Sequence, residues 1–186
     1  MKIATWNVNS LSVRLPQVLD WLAANPTEVL ALQELKLTDD KFPVAAFTEA
    51  GYQAQWFGQK TYNGVALISK AEGSEVVKNI PGFEDDMSRV ISATYPDGAG
   101  ASVRVIGAYF PNGQAPDSDK FVYKMRWLDA LRNWVQSEMQ KHPNLVLTGD
   151  FNITFDELDM WDPVALADTI HCTDAEREKL DRMRAR

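Results

Sequence analysis

Four apolar runs in this 186-residue chain each lead directly into oxygen-bearing side chains. The run at 3–6 leads into Asn7, 29–33 into Glu34, 103–108 into Tyr109, and 145–148 into Gly149-Asp150-Phe151-Asn152. Short apolar runs of this kind read as strands, and ligand sites in layered α/β proteins gather at strand ends. Carboxylates with amides beside them are what a hard divalent cation needs, since it binds oxygen. The chain has two histidines, His142 and His171, and one cysteine, Cys172, which is too few for a zinc centre of the usual kind. Magnesium is therefore the expected ion, because it keeps several waters and uses one or two carboxylates plus substrate phosphate. Singly, each residue has an ordinary explanation. Glu34 reads as a solvated loop acid, Asn7 as a turn residue, Tyr109 as a core or edge aromatic, and Gly149-Asp150 as a turn closing a strand. The combination carries the argument.

The elements that must position these residues follow from periodicity. Strands are expected at 3–6, 29–33, 52–57, 65–69, 76–80, 90–95, 103–109 and 145–148. Leu15, Val18, Leu19 and Leu22 recur at helical spacing, with Ser12 as the expected N-cap and Asn25-Pro26 as the stop. A short helix is expected at 42–50, closed by Gly51. Phe121, Met125, Leu128, Leu131, Val135 and Met139 mark one face of a long helix. Thr173 and Glu176 form a capping box for a last helix that runs on through Arg186 without a Gly or Pro stop. Strands and helices mix without regular alternation, which predicts α/β layers around a mixed sheet.

The gross numbers bound the rest. The length suits one domain, expected over 1–186. A content of 45% hydrophobic and 24% charged residues is that of an ordinary globular protein. The net charge of −7 lacks the basic footprint of most nucleic-acid binders, so any DNA contact must use a local patch or bound cations. A single cysteine rules out an internal disulfide and fits a reducing compartment. The opening MKIATWNVNS reads as no signal peptide, and no apolar run is long enough for a membrane span. A cytoplasmic location is expected, with no membrane partner.

The motifs TWNVNS (5–10), LQELK (32–36), GQKTYNGVALIS (58–69), GAYFPNG (107–113), KFVYKMRW (120–127) and LTGDFNI (147–153) stand in this order along the chain. Together they resemble the exonuclease III family of DNA-repair nucleases, within the wider endonuclease/exonuclease/phosphatase fold. The resemblance runs from residue 2 into the last helix. LQELK and LTGDFNI are shared across the superfamily, whereas GQKTYNGVALIS and YFPNG are more specific to this branch.

The resemblance implies a four-layer α/β sandwich and a Mg²⁺-dependent phosphodiesterase, with Mn²⁺ as an alternative ion. It implies an abasic-site endonuclease and 3′→5′ exonuclease acting on double-stranded DNA. Glu34 would hold the metal with help from Asn7, and Asp150 and Asn152 would join the metal site. Tyr109 would contact the scissile phosphate, Asp150 would orient or deprotonate the attacking water or protonate the leaving group, and Asn152 would stabilise the transition state. Asn112 would face DNA, and Lys60, Arg89 and Arg126 would meet its phosphates. Lys36 and Arg126 read slightly better as ordinary surface charges.

The family pattern continues past the last helix with further strands, an abasic-sugar pocket, a later Asp motif and a closing Asp-His pair. On this reading the second sheet is incomplete, and the chain alone is weakly active or inactive. The complete protein is expected to be a monomer. His142 and His171 read as structural or surface residues. The competing readings are a catalytically impaired fragment, or a superfamily phosphodiesterase acting on RNA or phospholipid.

Overall fold

The computed structural model describes residues 1–184. Residues 185 and 186, the end of the expected last helix and of the expected domain span, lie outside the described residues. The chain divides into two compact units, Met1–Tyr109 with His142–Asp150, and Phe110–Lys141 with Phe151–Arg186.

The first unit carries two four-stranded sheets, in the mixed α/β class expected. One has the order β1-β2-β4-β3, from β1 (Ile3–Asn7), β2 (Val29–Gln33), β3 (Gln53–Phe57) and β4 (Val65–Ser69). The other has the order β5-β6-β7-β8, from β5 (Ser74–Lys78), β6 (Val90–Pro96), β7 (Ser102–Tyr109) and β8 (Leu145–Asp150). Each sheet holds one parallel pair, β1 with β2 and β7 with β8, and these pairs end at the polar residues. Strands β2 and β4 are buried along their whole length, so both read as unbroken apolar runs. One face of the first sheet packs on α1 (Leu11–Ala24) and α2 (Val44–Glu49) through Val18, Leu22, Phe47, Leu30 and Ile68. Its other face meets the second sheet through Val29, Ala31, Leu67, Ile91, Ala93 and Val105. Gly107 permits this close approach, since a Cβ there would lie 3.1 Å from Leu67 Cδ2.

Three local expectations need correction. Helix α1 begins at Leu11, so Ser12 lies inside it and does not cap it. The capping is tertiary: the Ser10 and Leu11 amides donate to the carbonyls of Glu34 and Leu35, at 2.8 and 3.1 Å. Helix α2 starts only at Val44, because Phe42 precedes Pro43 and is held extended. Strand β5 begins earlier than expected and ends at Lys78, its register shifted by an irregularity between Ser74 and Val77.

The second unit holds α3 (Asp119–Lys141), the short α4 (Pro163–Leu166) and α5 (Asp174–Arg184). Helices α3 and α5 pack together, and Asp129 and Lys179 pair between them at 2.6 Å. Phe110 stacks edge-on against Trp127 at 5.0 Å and lies 4.6 Å from Phe151. The Thr173/Glu176 capping box forms as expected, with the Glu176 amide donating to Thr173 Oγ1 at 3.2 Å. Helix α4 and the 3₁₀ turn Glu157–Asp159 were not expected; their local N-caps are Asp162 and Asp156.

Candidate active site

Asn7 closes β1, and Glu34 follows Gln33, its register partner on β2. On the second sheet Tyr109 and Asp150 are register partners at the ends of β7 and β8. Asn7 links the two sheets. Its Nδ2 donates 2.8 Å to Glu34 Oε1 and 2.8 Å to Asp150 Oδ2, while its Oδ1 accepts from the Asn9 amide at 3.0 Å. All three oriented atoms of the amide are therefore used. A neutral donor between two acids brings them together without adding charge.

Glu34 sits at φ +57 and Lys36 at φ +56, left-handed positions that turn the chain sharply after β2. Backbone bonds hold that turn: the Leu35 and Lys36 amides donate to the Gly64 and Asn63 carbonyls at 3.2 and 3.0 Å. Gln59 Oε1 in turn accepts from Asn63 Nδ2 and from the Ser88 amide, each at 2.9 Å. The GQKTYNG loop is thus a brace for Glu34. Within it, Lys60 is exposed.

Lys36 is not a plain surface charge. Its Nζ lies 2.9 Å from Glu34 Oε2 and also donates to Asn9 Oδ1. The sequence favoured a surface charge at Lys36 because its contact with Glu34 depends on the left-handed turn, which no residue pattern announces. Burial pushes the Glu34 carboxyl up, but hydrogen bonds from Asn7, Lys36 and Tyr109 and the Lys36 charge bring it below its ordinary value. The Tyr109 hydroxyl donates to Glu34. Burial first, then the Glu34 carboxylate, push that phenol well above its usual range, so it keeps its proton at neutral pH. Arg89 Nη1 donates to the Tyr109 carbonyl at 3.3 Å, and its guanidinium lies 5.1 Å from the centre of the Tyr109 ring.

Asn7, Glu34, Tyr109, Asp150 and Arg89 are thus gathered within the first unit. The second unit carries Asn112, Asn152 and Arg126. Asn152 follows Asp150 by two residues at φ +46, and its Nδ2 donates to the Phe110 carbonyl at 3.0 Å. Asn112 is exposed, and its Oδ1 accepts from the Gln114 amide at 3.0 Å, making a local turn. Arg126 is exposed on α3. The His171 carbonyl accepts from the Thr154 amide at 2.8 Å, a structural contact.

No cluster of three or more His, Cys, Asp or Glu stands ready for a metal among the described residues. The ligand set would be two carboxylates, Glu34 and Asp150, oriented by the Asn7 amide. That fits a cation which keeps most of its waters, and it does not fit one that demands a full protein cage.

The endonuclease/exonuclease/phosphatase family model matches residues 4–178. Exodeoxyribonuclease III of Haemophilus influenzae is 32% identical over 162 residues; the match covers 86% of this chain, which spans 60% of that relative. The solved 3′-5′ exonuclease NExo of Neisseria meningitidis superposes with a TM-score of 0.94 at 49% identity, over 98% of this chain and 70% of that one. A structure described as the 3′ phosphatase NExo from Neisseria bound to a product DNA hairpin gives 0.93 at 48%, over the same shares. An AP endonuclease from Archaeoglobus fulgidus gives 0.91 at 34%, covering 98% of this chain and 69% of that one.

Proposed function

The chain belongs to the endonuclease/exonuclease/phosphatase family, and on that premise we propose that it is a Mg²⁺-dependent DNA-repair phosphodiesterase of the exodeoxyribonuclease III type. The observation that carries the proposal is the Asn7 amide donating to Glu34 and Asp150 at once. The proposed substrate is double-stranded DNA with 3′ ends or abasic sites. Identity of 48% and 49% to NExo, against 34% to the AP endonuclease, favours work at 3′ ends over internal incision.

Glu34 and Asp150 would hold the ion, with Asn7 orienting both carboxylates; Mn²⁺ would serve in place of Mg²⁺. When bound, the ion would act as a Lewis acid on the phosphate and offset its charge. The chain's own residues do the rest. Asp150, oriented by Asn7, accepts a proton from the attacking water. Tyr109, kept as a phenol, turns its single hydrogen from Glu34 to a phosphate oxygen without adding negative charge. Asn152 offers a neutral amide to the developing charge. Arg89 holds the Tyr109 backbone, and Asn112, Lys60 and Arg126 meet the DNA backbone. That residues 1–186 belong to a single nuclease domain, in a protein that is a monomer in the cytoplasm when complete, belongs to the same proposal. Cys172 is buried, and no helix among the described residues is long and apolar enough to cross a membrane.

The test is release of 3′ nucleotides from a duplex and nicking of an abasic duplex, in Mg²⁺ and in EDTA, with RNA and phosphoinositide as comparison substrates. DNA hydrolysis, weak for this chain on the expectation from the family pattern, is expected to require Mg²⁺ and to be lost in EDTA and in Glu34→Ala. Hydrolysis insensitive to both, or confined to RNA or lipid, would contradict the proposal.

A further inference from the structure

The second unit contains a fully buried ion pair that the proposed chemistry does not use. Lys124, on the second turn of α3, and Glu176, on the first turn of α5, both have side chains with 0% exposure. Burying a lysine is costly unless each of its three hydrogens finds an acceptor. Here Nζ meets three: Glu176 Oε1 at 2.5 Å, the Asn152 carbonyl at 2.6 Å and the Asn112 carbonyl at 3.2 Å. The two carbonyls belong to the loops that carry Asn112 and Asn152, two of the candidate site residues of this unit.

Glu176 is itself fixed. Its Oε2 accepts from the Thr173 amide at 3.2 Å and from Thr173 Oγ1 at 2.8 Å, closing the capping box of α5. Rigidity therefore passes from the α5 cap to Glu176, from Glu176 to Lys124, and from Lys124 to both loops. Asn152 is gripped twice, by its carbonyl on Lys124 and by its amide on the Phe110 carbonyl, while holding a left-handed backbone at φ +46. A left-handed non-glycine residue persists only where its surroundings over-determine it. An apolar pair of similar volume would fill the same space more cheaply, but it would leave two loop carbonyls without a donor.

We propose that Lys124, with Glu176 as its counter-ion, is the positioning residue for Asn152 and Asn112, setting the loop conformation on which the proposed hydrolysis depends. The kinetic arm of the test rests on the nuclease reading, and the spectroscopic arm does not. Lys124→Met keeps the aliphatic stem and removes the donors. Lys124→Met/Glu176→Gln also removes the stranded charge while keeping the cap, since Gln serves a capping box as Glu does.

In ¹⁵N–¹H spectra the Asn152 side-chain amide is expected to move, in both variants, from its hydrogen-bonded position to that of a solvated amide. Dispersion elsewhere should be retained. For DNA hydrolysis, kcat is expected to fall roughly 10- to 100-fold with KM little changed, as when an outer-shell support is removed. If the single variant fails to fold, the double variant decides. A folded variant with the Asn152 amide and kcat both as in the wild type would overturn the proposal and leave the pair a purely structural one. Weak or absent hydrolysis by the wild-type chain, as the family pattern implies for it, bears on the nuclease reading alone, and the Asn152 signal still decides this one.

Discussion

At the residue scale the site is organised by a neutral side chain. Asn7 gives its two hydrogens to two acids, so Glu34 and Asp150 are held close by a donor that adds no charge. The Glu34 carboxyl, raised by burial but drawn further down by its hydrogen bonds and by Lys36, falls below the ordinary 4.5. A lowered folded value means stability present above the ordinary range and lost as pH falls through the folded value. Melting wild type and Glu34→Gln from pH 7 to pH 3 should therefore show a wild-type advantage at neutral pH that shrinks below about 4.5. An advantage constant with pH would mean that Glu34 gains nothing from its charge. Asn7, Glu34 and Asp150 were legible in sequence because each is a polar residue ending an apolar run. Lys36 and Asn9 were not, since their part depends on left-handed backbone at residues 34 and 36.

At the element scale, the parallel pair β7–β8 sets Tyr109 beside Asp150. That pairing passes through Gly149, at φ +146, where a Cβ would fall 1.8 Å from the Ala108 carbonyl oxygen. Gly149→Ala must break the pairing at this step. It is expected to cost about 3 kcal/mol or more and to lower Tm by roughly 6–12 °C, read by thermal melting. A loss of a degree or less would mean that the strand ends are not held in this way. Strands β2 and β4 were visible in the sequence because burial along their whole length favours apolar residues, VLAL and VALI. The start of α1 was not, because its cap comes from the carbonyls of Glu34 and Leu35, far away in sequence. Helix α4 escaped notice because it is a four-residue turn held by a single aspartate cap.

At the scale of the whole molecule, the first unit is built from two stretches of chain interrupted by residues 110–141. Each unit is assembled from stretches separated along the chain, so the division could not be read in advance. The mixed α/β class could, because the order of apolar runs and helical periods survives whatever the grouping. The net charge of −7 makes a polyanionic substrate an awkward partner, and the account answers this with a cation held at the Asn7 cluster. Titrating Mg²⁺, and then Mn²⁺, into the chain with calorimetry and melting as paired readouts tests that claim most directly. The account predicts binding with a rise in Tm, both lost in Glu34→Ala. Equal binding by Glu34→Ala, or no binding by the wild type, would contradict it.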